Sequence, residues 1–81
     1  MASRDSFDIE DISPRAWRLL RVAAGYGQRD VENEVETVQQ AHVSMLESGA
    51  RALSPARRQE LLDLYVADLS EEQFAVLVEH F

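Results

Sequence analysis

Cysteine is absent from this chain, and so is lysine. The first absence excludes disulfide bonds and thiolate metal sites. The second makes all eight basic side chains arginines, set against fifteen acids for a net charge of −7. Long apolar runs are missing as well: none approaches the ~20 residues a membrane-spanning helix needs. The opening MASRDSFDIED is acidic, unlike the basic start of a secretory leader, so a soluble cytoplasmic protein is expected. Only three glycines and two prolines interrupt the chain, and each falls where a helix would start or stop. The two histidines, His42 and His80, stand far apart with no ligand spacing around them, so no metal or other cofactor is expected. Strand signals are absent too.

What remains is one small domain of 81 residues. A chain this short buries roughly 60% of its unfolded surface, so pairing with a second copy is a natural source of further buried area. An acidic, lysine-free surface keeps a protein hydrated and dispersed in strong salt, which points to a halophilic cytoplasm; a GC-rich genome favouring arginine codons is the plainer explanation. Overall acidity opposes nonspecific binding to nucleic acid, but the charges are segregated. Residues 14–29 hold Arg15, Arg18, Arg21 and Arg29 without an acid, and residues 48–58 hold Arg51, Arg57 and Arg58 without an acid. The acids gather in 5–11, 30–36 and 60–79, leaving Glu47 alone in the otherwise uncharged TVQQAHVSMLESG of residues 37–49.

Five short helices follow from capping and periodicity, an all-α bundle. Residues 1–12 show no helical period and read as a flexible acidic arm. The first helix opens with Ser13 as cap and Pro14 at its first position, with Ile12 placed to staple onto Trp17. Trp17, Leu20 and Ala24 mark its inward face, and Gly25 ends it. The second runs from about Gln28 to Val35 with Val31 and Val35 inward. The third covers about Gln39 to Ser48, with Val43 and Leu46 inward and Gly49 as stop. The fourth repeats the Ser-Pro entry at Ser54 and Pro55, with Leu61, Leu62, Tyr65 and Leu69 as its apolar face. The fifth opens with a capping box from Ser70 to Gln73, and Phe74, Leu77, Val78 and Phe81 form a stripe. Residues 13–69 are expected to form the helix-turn-helix domain and 70–81 a C-terminal dimerisation helix, the alternative being that this stripe completes the monomer core.

Two helices joined by a short connection, the second exposing small polar side chains, is helix-turn-helix geometry. At this point the sequence resembles the lambda-repressor/Cro-like (XRE-type) helix-turn-helix domains. The resemblance is carried by LLRVAAGYGQRDV at 19–31 and VSMLESG at 43–49: Leu20-Arg21, Gly25, Gln28, Val31, then Val43, Leu46-Glu47 and Gly49. It implies a lambda-repressor-like bundle and an ion pair between Arg21 and Glu47 that sets one helix against the other; an exposed, unpartnered Glu47 is the plain alternative. It also implies a phosphate contact at Gln28. Helix 2 departs from the pattern in carrying Glu32 where a small residue is usual. Glu36 replaces the turn glycine, and the connection is two residues longer. Either the turn is looser or helix 2 is extended.

The third helix then makes chemical sense in a major groove, where acids repel phosphates and amides read base edges. Gln39 and Gln40 can reach an adenine or a phosphate, Ala41 and Ser44 permit close approach, and Met45 can touch a thymine methyl. Arg51, Ser54 and Arg57 are further phosphate contacts. Plainer roles exist for several: Gln39 as a cap, Met45 packed on a partner, Arg57 and Arg58 paired with Glu60 and Asp63 as solvated surface. His42 falls beside the inward face. The expected function is a transcriptional regulator, a repressor by analogy, bound as a homodimer to a two-fold double-stranded DNA operator, with no membrane or small-molecule substrate. The alternative is an acidic interaction module that mimics DNA or holds another regulator. An enzyme is the weakest reading, because no acid–base pair, nucleophile–histidine set or dinucleotide motif is present.

Overall fold

The computed structural model describes residues 8–81. Five α-helices make up the architecture, α1 (Pro14–Ala23), α2 (Gln28–Glu34), α3 (Gln40–Ser48), α4 (Pro55–Val66) and α5 (Glu71–His80), preceded by a 3-10 turn at Ile9–Asp11; no strand occurs among the described residues. The chain is an all-α bundle in which α1 packs against α3, α4 and α5, and α2 packs against α3.

The caps act as their residue types dictate. Ser13, Ser54 and Ser70 each accept the backbone N–H three residues on, satisfying a donor that the first helical turn leaves without a partner. Asp30 does the reciprocal service for α2, its carboxylate accepting the Gly27 N–H at 2.8 Å. Helices α1 and α3 end alike. Gly25 and Gly49 take left-handed φ values of 91° and 77°, so Tyr26 N–H reaches the Arg21 carbonyl and Ala50 N–H reaches that of Met45, the Schellman arrangement.

The core is built on Leu20, Val31, Val38, Val43, Leu61 and Tyr65, all essentially inaccessible to solvent, with Trp17 edge-on to Tyr65 at 6.4 Å between ring centroids. Val38 and Leu53 lie in connectors without periodicity, yet both are buried.

Three expectations change. Of the arm expected over 1–12, residues 1–7 lie outside the described residues. Residues 8–12 are built into the fold: Ile9 packs on the core, Ile12 is buried and Glu10 pairs with Arg58. Helix α2 is short, ending at Glu34, so the lengthened connection is a looser turn and not a helical extension. Val35 and Val38 bury themselves at its two ends and are joined by a 3.1 Å backbone bond, with Glu36 and Thr37 at the exposed tip. Helix α4 stops at Val66, which leaves Leu69 beyond its end, although still packed against the core.

The stripe of α5 divides. Phe74 is buried in the monomer core and Leu77 and Val78 pack against that core, so these three side chains serve the bundle itself. Phe81 remains 43% exposed, its ring under the Arg15 guanidinium at 5.3 Å. Among the described residues, the large apolar side chains left in solvent are Val22, Val76 and Phe81.

Candidate nucleic-acid interface

Helix α3 is held by its two neighbours through a polar joint. From α1, Arg21 donates through Nε to Glu47 Oε2 at 2.7 Å and through Nη2 to Glu47 Oε1 at 3.0 Å, a bidentate pair with side chains only 10% and 6% exposed. Its third nitrogen, Nη1, donates to the Tyr26 carbonyl at 2.7 Å, beside the Schellman turn. The Glu47 hydrogen bond raises the Arg21 pKa above its ordinary value, outweighing the opposing effect of burial. From α2, Gln28 Nε2 adds a bond to Glu47 Oε1 at 3.3 Å. One carboxylate thus ties three elements together, and the only acid of residues 37–49 is withdrawn from the surface.

The outward side of α3 carries what the sequence placed there. Ala41 and Ser44 are exposed, Gln40 and Met45 half-buried, and Gln39, at the N-cap, exposed without a side-chain cap bond. The capping role falls to His42, whose Nδ1 accepts the Gln39 N–H at 3.0 Å. Gln40 Oε1 accepts from Arg29 Nε at 3.3 Å, which leaves the Gln40 amide hydrogens available for an outside acceptor. Arg29 was not among the residues expected at this surface; it belongs to a helix otherwise acidic, and only the packing of α2 on α3 brings its charge to the start of α3.

Beyond α3, Arg51 is exposed in the loop and Arg57 is exposed in the first turn of α4, next to Ser54. The expected phosphate contacts are therefore split by position. Arg51 follows the C-terminal end of α3 and lines a cavity with Leu46 and Gly49, and Arg29 meets Gln40 at the N-terminal end of α3. Arg57 lies exposed at the start of α4, and Gln28 shares its amide with Glu47.

Arg58 differs from the surface role expected of it. It is buried, donating from an Nη to Glu10 Oε1 at 2.7 Å, and its Nε has no partner. A signal was present: residues 58, 61, 62 and 65 follow i, i+3, i+4, i+7, which puts Arg58 on the apolar face of α4.

Two acids from the end of α2 and its turn, Glu34 and Glu36, join two from α4 away from α3. Glu34, Glu36, Glu60 and Asp63 rim a groove of about 630 Å³ floored by Val35, Leu64 and Ala67, and none of the outward α3 residues lines it. Among the described residues no cluster of three or more His, Asp and Glu could hold a metal ion, and no helix is long and apolar enough to cross a membrane.

Residues 6–58 match the model of a family described as a domain of unknown function, DUF8599. That span is more than half of the chain, which belongs to this family. No curated protein and no solved structure matches.

Proposed function

We propose that the chain is a sequence-specific DNA-binding regulator that inserts α3 into the major groove as a homodimer. The observation that supports this most is the fate of Glu47: α3 presents Gln39, Gln40, Ala41 and Ser44 outward while its only carboxylate is turned in against Arg21. A helix entering a groove lined by phosphates needs that arrangement, because an exposed acid there would repel the backbone. The resemblance to lambda-repressor/Cro-like domains agrees with it. Arg29 and Arg51 supply cations at the two ends of the helix, and Arg57 is a further exposed cation at the start of α4; such contacts position a helix without reading sequence.

Two copies would meet through α1 and α5. An apolar cleft of about 360 Å³ lined by Ala23, Val76 and Leu77 lies between these helices, and exposed Val22 and Val76 stand on the same pair. If the acidic, lysine-free surface reflects molar intracellular salt, counterion release contributes little, and affinity leans on base contacts and on the avidity of a dimer.

A second reading has its own observation. The acidic groove, with four carboxylates around an apolar floor, suits a basic segment of another protein and favours an interaction module. Selection of bound fragments from random DNA by the purified protein, at low and at molar potassium chloride, separates the two. A two-fold motif lost in Gln40→Ala and Ser44→Asp supports the regulator. No enrichment at either salt from folded protein overturns it in favour of a protein partner.

A further inference from the structure

A cavity of about 220 Å³ opens between the 3-10 turn, α1, the end of α3 and the start of α4. It has room for several waters or a small organic molecule. Its walls are of two kinds. Arg58, Arg51 and Glu10 contribute charge, and Ile12, Trp17 and Leu46 contribute apolar surface.

The charged side is incompletely satisfied. Arg58 is 8% exposed, and its guanidinium has a single-point contact with Glu10, whose own side chain is 59% exposed. The buried Nε has no acceptor. A guanidinium presents Nε and an Nη as a coplanar fork, which a carboxylate satisfies with two parallel bonds. Glu10 approaches from the rim with one oxygen on an Nη; the unpaired Nε is closed to solvent, so the charge of Arg58 is left under-compensated beside the cavity that it lines. Arg51 adds a second cation with no ion pair among the described residues.

We propose that this cavity is a binding site for a small organic carboxylate, its oxygens held by Arg58 and Arg51 and its apolar body against Ile12, Trp17 and Leu46. The charges of the lining, two cations and one acid, favour a monoanion. A phosphate would bring a second negative charge towards Glu10 and polar oxygens against apolar walls. The site stands independently of DNA binding. If Arg51 also contacts a phosphate, carboxylate and DNA compete for it by reciprocal linkage, and that consequence alone rests on the DNA reading.

Trp17 is the only tryptophan in the chain and lines the cavity, so it reports binding directly. Sodium butyrate titrated into the full chain, against potassium chloride of matched ionic strength, should give a saturable change in Trp17 fluorescence. Arg51→Ala should weaken the response about tenfold, the loss of one charge-assisted bond, and Glu10→Gln should strengthen it several-fold by removing a competing carboxylate. Both variants alter exposed side chains, and far-UV dichroism checks that they fold. A response that does not saturate, or one equal in wild type, Arg51→Ala and Glu10→Gln, overturns the site. Tighter binding of inorganic phosphate than of butyrate overturns the assignment to a carboxylate.

Discussion

Arg21 and Glu47, twenty-six positions apart, share two parallel hydrogen bonds of 2.7 and 3.0 Å across the joint between α1 and α3. Both side chains are about nine-tenths buried, so either one left alone would be a desolvated charge. Glu47→Ala should therefore destabilise the fold by about 3 kcal/mol or more, a large part of the stability of so small a domain. An apolar pair such as Arg21→Met with Glu47→Leu should recover much of that loss. Urea denaturation of Arg21→Met, Glu47→Leu and the double variant measures the coupling, and additive effects would contradict a shared buried pair.

Gly49 is required by its left-handed φ of 77°; a Cβ there would make only an ordinary van der Waals contact, 3.4 Å from Pro14 Cγ at the start of α1. Gly49→Ala should cost about 1–2 kcal/mol through left-handed strain alone. Gly25 has a similar φ of 91° and open space around it, so Gly25→Ala should cost no more than Gly49→Ala. Thermal melts of the two variants give the comparison.

The two tyrosines predict behaviour at high pH. Burial, reinforced by Glu47, pushes the Tyr65 phenol far above its ordinary 10.0, and partial desolvation with Asp68, which accepts its hydroxyl at 3.3 Å, raises Tyr26. The neutral phenol is favoured in the folded state, so this contribution is complete below pH 10.0, the ordinary value, and falls away as pH rises above it. Phenolate absorbance should stay low at that pH in the folded protein and appear together with unfolding. Free-tyrosine titration without loss of structure would contradict the burial.

On the proposed DNA reading, two classes of variant should separate. Arg51→Ala and Arg57→Ala should weaken binding to all sequences alike, each reducing the salt slope by about one. Gln40→Ala should alter sequence preference, whereas Ser44→Asp, which sets a carboxylate against the phosphates, should abolish binding to every sequence. Anisotropy titrations on matched and scrambled duplexes over a range of salt distinguish these patterns.

The α1–α5 surface gives a further test. Val76 is 50% exposed beside the apolar cleft, so on the proposed homodimer reading Val76→Glu should leave the monomer folded while shifting sedimentation from dimer to monomer. Phe74→Ala, by contrast, should destabilise the monomer by about 3 kcal/mol or more, because its ring is buried there.

Local chemistry made the helices legible. A Ser-Pro entry satisfies the first-turn donors and presets φ wherever it occurs, and glycine is the residue that most readily accepts the left-handed stop after α1 and α3. Hence Ser13, Ser54, Ser70, Gly25 and Gly49 mark boundaries from sequence alone. Periodicity likewise announced Trp17, Leu20, Val31, Val43, Leu61 and Tyr65 as core.

Long-range packing decided the rest. Val38 and Leu53 are buried although they sit in connectors, because a connector has no period from which inwardness is read. The spacing of Arg58 with Leu61, Leu62 and Tyr65 puts it on the apolar face of α4, but its partner Glu10, forty-eight residues away, is supplied only by the fold. Arg29 and Gln40 meet only once the turn at Val35–Val38 has set α2 against α3. The chain by itself determined where each helix begins and which face it turns inward, since those depend on neighbours a few residues apart. Helices α2 and α4 end earlier than periodicity alone predicts. Which charges are buried, which apolar side chains stay exposed and where a cavity remains were decided only by the tertiary structure, because burial is a property of surfaces brought together from distant parts of the chain.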